Sequence, residues 1–365
     1  MSSSTTKLDN AIKFGAGRFR QERGLISQCG EEIARFGTKP LVITGPNSWA
    51  ATGETLEESM AAAGLEPKIE VYDGWCSFEA AEEFANIART HDADEIVGVG
   101  GGKIMDLAKA VGETADLGTV NIPTSASSCA PFTCMSVMYT AEGGKKLSWR
   151  FEHEIDACLM DMDVIANCPI RFNAAGIVDA MAKRIEMLNG KPALRLSDTP
   201  VDIFTAYSIA EDTYQVSKDN ALEAIEDNRR HKLTKALNDV ALMNVPITGV
   251  IANTTKSFKQ SELAHVIYDG VRTIFTEEGQ QAIHGEIVGV GLFCQLYFNG
   301  QQEQEEELRE FMHAMDMPLT FGDLGIEPTD KNLDAIEEYI VNSRHYNSDD
   351  PADRRRLHES VHEMA

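Results

Sequence analysis

Four short β-branched runs recur between residues 40 and 124, and each passes through a turn into a stretch with helical spacing. Pro40–Thr44 ends at Gly45-Pro46, and Gly53–Ala63 then reads as a helix. Lys68–Tyr72 is followed by a helix over Glu79–Thr90. Glu95–Gly100 runs into Gly101-Gly102 and a helix from about Ile104, and Thr119–Thr124 is the fourth strand. Strand, turn, helix and strand in this rhythm make parallel βαβ units and an open, doubly wound parallel sheet. Ligands of such sheets bind at the carboxyl ends of the strands. Beyond Pro169 the strands stop. Ala174–Leu188, Asp202–Ser217, Asn220–Val245, Ser261–Phe275 and Glu286–Phe298 carry apolar residues at spacings of three and four, the mark of amphipathic helices. The expected division is an α/β unit over residues 1–168 and an all-helical unit over 169–365, with a site in the cleft between them.

A chain of 365 residues is long enough for two such cores. No apolar run approaches the roughly 20 residues of a membrane span, and Met1 to Asn10 lack the hydrophobic stretch of a secretory signal. The seven cysteines are scattered with no Cys-x-x-Cys pair, a pattern of reduced thiols in a cytoplasmic compartment. The net charge is −25. A nucleic-acid partner needs a basic face, no extended Lys/Arg-rich stretch supplies one, and the run Arg354-Arg355-Arg356 stands among Asp349, Asp350, Asp353 and Glu359. Neither nucleic acid nor a membrane is expected as a partner. The acid excess reads as a solvated surface.

The glycine-rich turn Val97–Lys109 is the most informative stretch of the first half. Three consecutive glycines after a strand let backbone amides approach a pyrophosphate, and the helix opening at Lys103-Ile104 adds its positive end. The plain alternative is a tight turn that binds nothing, and the spacing is not Gly-x-Gly-x-x-Gly. Gly100-Gly-Gly-Lys-Ile-Met-Asp-Leu-Ala-Lys109, however, resembles a motif of the iron-containing alcohol dehydrogenase superfamily, in its glycerol dehydrogenase-like branch. Pro123–Gly143 is similar to that branch's second signature. The resemblance runs from about Phe14 to His345. It implies a dehydroquinate synthase-like architecture, with an α/β N-terminal dinucleotide-binding domain built on an open parallel sheet and an all-helical C-terminal metal-binding domain. It also implies NAD or NADP held by Gly100, Gly101, Gly102 and Lys103, with Thr124, Ser127, Thr133, Met135 and Tyr139 along the cofactor.

Three residues of the helical half stand out as candidate ligands. Asp179 lies in an apolar helical stretch, His265 in Ser261–Gly270, and His284 in Ala282-Ile-His-Gly-Glu286. A carboxylate and two imidazoles leave a divalent ion an open position for a substrate oxygen. Singly, each has a plainer role: Asp179 pairs with Lys183 at i+4, and a lone histidine packs. Together, in these contexts, they match the metal set of the resembled family. Its iron enzymes carry a further histidine where this chain has Lys183, so the resemblance favours zinc over iron. His345 is a candidate for assisting protons. His91, His153, His231, His313, His358 and His362 read as surface residues.

Three departures bear on substrate. Cys129 replaces the aspartate with which glycerol enzymes hold hydroxyls, as it does in a sister branch of hydroxycarboxylate dehydrogenases. Arg184 and Arg272 also stand where the family usually has other residues, and a guanidinium can clamp a carboxylate or phosphate. The implied activity is interconversion of a small secondary alcohol, a polyol or 2-hydroxy acid, with its ketone, by a homo-oligomer. One rival is a lyase or cyclase similar to dehydroquinate synthase, which needs a dense Lys/Arg set in the cleft. The other is a relative that binds nucleotide without turnover. For the nicotinamide, strand Leu41–Thr44 ends at Gly45, where the family often has an aspartate that repels a 2′-phosphate. No Arg or Lys follows in Pro46-Asn47-Ser48, so tolerance of both cofactors is expected.

Overall fold

The computed structural model describes residues 12–256 and 260–365, so the segment read for a signal sequence lies outside the described residues. The first half runs β1 (Arg18–Glu22), α1 (Cys29–Ile33), β2 (Pro40–Thr44), α2 (Pro46–Ala62), β3 (Lys68–Val71), α3 (Phe78–Thr90), β4 (Glu95–Gly100), α4 (Gly102–Ala115), β5 (Thr119–Pro123), β6 (Met135–Tyr139), β7 (Lys145–Arg150) and β8 (Ala157–Asp161). Six strands form one sheet in the order β1-β8-β5-β4-β2-β3, every pair parallel, while β6 and β7 form a separate antiparallel hairpin. The central strands β2, β4, β5 and β8 are buried throughout, as a sheet covered on both faces requires. One apolar layer joins the sheet to α1 and α2, and another joins it to α3 and α4.

The second half runs α5 (Met162–Asn167), α6 (Ile170–Leu188), α7 (Val201–Arg229), α8 (Lys235–Leu242), α9 (Thr248–Thr254), α10 (Leu263–Ile274), α11 (Thr276–Gly279), α12 (His284–Phe298), α13 (Gln302–Ala314), α14 (Asp330–Val341) and α15 (Pro351–His362). Its core is one large cluster centred on α6, α10 and α12. No helix among the described residues is long and apolar enough to cross a membrane.

Several expectations shift. Two helices were expected over 202–217 and 220–245, but α7 runs unbroken for 29 residues. The break comes later, where His231 takes a positive φ of 52° and the Thr234 side chain caps α8. β1, β6, β7 and β8 were not expected as strands. β1 is an edge strand whose Arg18 and Arg20 pair with Glu32 of α1, so it carries no apolar run.

Candidate active site

The carboxyl ends of β2, β4 and β5 open onto a cleft of about 1800 Å³. That exceeds the roughly 300–1,000 Å³ of an ordinary small-ligand pocket, so a dinucleotide and a smaller second molecule fit together. The chain leaves β2 toward β3 on one side and β4 toward β5 on the other. Loops after these neighbouring strands therefore diverge and open a crevice. Two helix N-termini face it. α2 starts behind Gly45 and α4 behind Gly101, neither capped by a side chain, so their amide ends are open to an anion.

The glycines of the turn divide into two kinds. A Cβ on Gly100 would stand 2.9 Å from the Ile104 Cβ, so this glycine serves strand–helix packing. A Cβ on Gly101 would meet nothing nearer than Ser125 Oγ at 3.8 Å, and one on Gly102 nothing nearer than Ser128 Oγ at 3.6 Å. Gly101 is also extended, at φ −84°, a conformation open to any residue. The fold needs no glycine at these two positions, and a bare backbone there fits the close approach of a pyrophosphate. Gly45, Lys103, Thr124, Ser127, Thr133, Met135 and Tyr139 line the same cleft, whereas Gly100 lies buried just below it. The Tyr139 hydroxyl is already bonded to that of Tyr268 at 2.8 Å, so Tyr139 offers the cleft its ring. Beneath the turn, the buried Lys109 ammonium pairs with Asp106 at 3.0 Å and donates to the carbonyls of Ala130 (2.7 Å), Thr133 (3.1 Å) and Met135. One buried charge thus shapes the segment that presents Thr133 and Met135.

Across the cleft, α6 turns Asp179, Lys183 and Glu186 to one buried face at i, i+4 and i+7. α12 reaches that face because residue 285 is glycine: a Cβ there would lie 1.9 Å from the Ala175 carbonyl oxygen. His284 Nε2 is thereby brought 3.4 Å from Asp179 Oδ1. Glu286 finishes the turn, accepting from the Ile283 amide at 2.7 Å and pairing with Arg171 at 2.8 Å. α10 brings His265, whose Nδ1 is bonded to Glu186, and Glu186 also accepts from the amides of Glu262 (2.6 Å) and His265 (3.1 Å). This grip fixes the ring and leaves Nε2 3.8 Å from Asp179 Oδ1. One donor atom from each of Asp179, His265 and His284 lies within 4.8 Å of the others. Such a set, with an imidazole oriented by a second carboxylate, fits a divalent ion.

Lys183 shares the spot. Its Nζ lies 2.8 Å from Asp179 Oδ1 and 3.3 Å from His265 Nε2, so the i+4 ion pair and the three-donor cluster are built on one carboxylate. Burial would raise the Asp179 carboxyl, but Lys183 and the two imidazoles hold it far below the usual range. Burial pushes His284 down against the pull of Asp179, which leaves the ring neutral at pH 7. Ionised carboxylate and neutral imidazole are the states a metal ligand requires.

Cys129 lines the cleft nearby, its thiol pushed up to about 12 by burial and then by Asp179. It is a neutral group and not an activated nucleophile. The two arginines have other partners. Arg184, one residue around the helix from Lys183, is turned out of the cleft, 2.9 Å from Glu211 and 4.7 Å over the Tyr214 ring. Arg272 does reach the cleft, but it donates to the Gly279 carbonyl (2.6 Å) and the Gly143 carbonyl (2.9 Å) and stacks on Trp75 and Tyr139. Neither presents a free fork to a substrate. His345 lines the cleft with Nδ1 3.1 Å from Glu262. Sequence reasoning missed Glu186, which the run of buried polar residues on α6 would have exposed. It also missed the cations of β7, where Lys145, Lys146 and Arg150 line the cleft. The cleft is richer in positive charge than expected, because the unexpected hairpin carries these residues to it.

Residues 16–161 match the iron-containing alcohol dehydrogenase family. A glycolaldehyde reductase of Halobacterium salinarum is 28% identical over 348 residues, covering 91% of this chain and 90% of that protein. A glycerol dehydrogenase of Thermotoga maritima is 28% identical over 328 residues, covering 88% and 87%. Among solved structures, a probable glycerol dehydrogenase from Sinorhizobium meliloti 1021 has a TM-score of 0.81 at 25% identity, over 96% of this chain and 98% of that one. With the sheet, the glycine turn and the helical half all in agreement, the chain is similar to the iron-containing alcohol dehydrogenases over its α/β half and to glycerol dehydrogenases over nearly its whole length.

Proposed function

We propose that this protein is a metal-dependent, NAD(P)-linked oxidoreductase that interconverts a small secondary alcohol, a polyol or 2-hydroxy acid, with its ketone. The observation that carries this reading is the convergence of Asp179, His265 and His284 in the same cleft as the bare backbone of Gly101 and Gly102. When bound, the nicotinamide supplies hydride exchange and the divalent ion acidifies the substrate hydroxyl. The protein's residues position both. Gly101, Gly102 and the α4 N-terminus receive the pyrophosphate, Thr124, Ser127, Thr133, Met135 and the Tyr139 ring line the cofactor, and Glu186 holds His265 in register. The dehydrogenase and reductase relatives support this chemistry, and nothing in them supports a lyase.

The metal in this reading is zinc, since a lysine stands where a third imidazole would complete a four-ligand iron set. Cys129 and Lys183 beside Asp179 place a neutral thiol and a cation where a substrate carboxylate would be welcome, which favours the 2-hydroxy acid over the polyol. Gly45 has open space before it, since a methyl group at this position would come no nearer than 3.8 Å to Ile104 and Ser48, and no side chain repels a 2′-phosphate. Both NAD and NADP are accepted in this reading. The buried free thiols fit a reducing, cytoplasmic compartment. Exposed Leu196, Val201 and Leu222 offer apolar surface to a further copy in a homo-oligomer.

The test is elemental analysis of the purified protein combined with turnover of polyols and 2-hydroxy acids with either cofactor. Asp179→Ala, His265→Ala and His284→Ala are each expected to lose one equivalent of divalent metal together with activity, since even indirect disturbance of metal ligands is costly. Full metal content and full turnover in all three variants would overturn the assignment.

A further inference from the structure

A second group of metal-binding side chains lies outside the cleft, where α14 packs on α15. His358 and His362 sit one turn apart on α15, and Asp334 and Glu337 one turn apart on α14. One donor atom from each of the four lies within 4.8 Å of the other three. Both histidines were expected to be surface residues; His358 is exposed and His362 half-buried, and their rings lie with centroids 4.0 Å apart. Glu337 is buried. Arg354 holds its Oε1 at 2.8 Å, which leaves Oε2 for the cluster, 2.8 Å from His358 Nδ1. His362 Nε2 is shielded from solvent, makes no hydrogen bond, and stands 3.8 Å from Asp334 Oδ1. A ring nitrogen withdrawn from water and left without a bonded partner is costly unless something else satisfies it.

We propose that these four side chains form a second divalent transition-metal site. Two histidines at i and i+4 on a helix project side by side, and nitrogen and carboxylate oxygen donors suit zinc and its neighbours. The four donors close a tetrahedral set with no open position, so the ion is structural and not catalytic. Arg354 orients Glu337 as a carboxylate ligand's outer partner does, and exposed Asp334 and His358 give the ion its way in. Bound there, it staples the last helix to α14, which itself packs on α10, the helix of His265. The site is independent of any function assigned to the cleft.

The test uses the full chain carrying Asp179→Ala, His265→Ala and His284→Ala, which deletes the cleft donors, titrated with Zn²⁺ alone and with Co²⁺ as a visible-absorption probe. One equivalent is expected to bind, with the ligand-field band of tetrahedral cobalt and a rise in melting temperature. Adding His358→Ala and His362→Ala abolishes the binding, the band and the shift. If the triple variant fails to fold, the wild type answers: His358→Ala/His362→Ala lowers its zinc stoichiometry from two to one. Zinc stoichiometry that is unchanged by loss of both histidines, in the triple variant or in the wild type, overturns the proposal. Loss of metal from the cleft alone would count only against the assignment of the cleft.

Discussion

Lys183 and a bound divalent ion compete for one oxygen of Asp179, and that competition makes a residue-scale prediction. Lys183→Met keeps the aliphatic stem that packs in the helix interior and removes a like charge a few ångströms from the ion. Zinc affinity is expected to rise about tenfold or more, since like charges at such separations in a protein cost more than 1 kcal/mol. Competition titration against a chromophoric chelator measures it. Weaker binding in the variant would show instead that Lys183 supports the donor set. A second residue makes a pH-dependent prediction. Glu95, at the start of β4, is 2% exposed with one carboxylate oxygen unpartnered. Burial, then Asp156 and Asp94, push its carboxyl from an ordinary 4.5 to about 9. The folded chain therefore holds a proton that the unfolded chain has already released, so stability falls as pH rises between those values, by on the order of 3 kcal/mol at pH 7. Glu95→Gln is neutral throughout and should raise the melting temperature much more at pH 8 than at pH 5. An equal gain at both would mean that Glu95 is ionised in the native state. The Lys183–Asp179 pair was readable from its i+4 spacing, whereas Glu95 was not singled out in the sequence, because the burial of a charged side chain has no signature in one dimension. Asp179, His265 and His284 were legible through their neighbours, notably Gly285, whose small size the close approach of α12 to α6 demands.

At the scale of elements, legibility followed β-branched content. β2, β4 and β5 are buried on both sides and read as β-branched runs, so the four-strand rhythm was visible and with it the position of the cleft. β8 is equally buried but is built from Ala, Cys, Leu and Met, residues with no strand preference. The hairpin β6–β7 is held to α4 by the buried Ser136 and Asp106 contacts, which no local pattern announces. The turn between β4 and α4 carries a prediction that separates its two kinds of glycine. Gly101→Val places branches in open space, so the melting temperature should hold while dinucleotide affinity is lost, read by titration of cofactor fluorescence. Gly100→Val drives a side chain against Ile104 and should instead destabilise the fold, by roughly 1–3 kcal/mol for an overpacked interior. If Gly101→Val binds cofactor normally, the turn is a structural device and the phosphate reading fails.

At the scale of the whole molecule the dominant fact is 58 acidic against 33 basic side chains, a net charge of −25. Scattered ion pairs such as Arg23–Asp163, Lys68–Glu70 and Arg230–Glu226 lie on the surface, and each is worth well under about 1 kcal/mol. The unpaired excess of acid repels itself over the compact surface and relaxes when the chain unfolds. Salt acts on both terms, weakening the pairs and the repulsion, but with so many more acids than bases the repulsion is the larger loss. Screening tightens from about 10 Å at 0.1 M to about 3 Å at 1 M, comparable to the spacing of neighbouring surface carboxylates. Sodium chloride is therefore expected to raise the melting temperature, by on the order of 5 °C between low salt and 1 M, where each kcal/mol is worth roughly 2–4 °C in a large domain. The comparison belongs at pH 7, with the carboxylates ionised, and again near pH 4.7, the sequence pI. At the lower pH the net charge has vanished and the same salt should do little. A melting temperature that is flat or falls with salt at pH 7 would mean that local pairing outweighs the net charge.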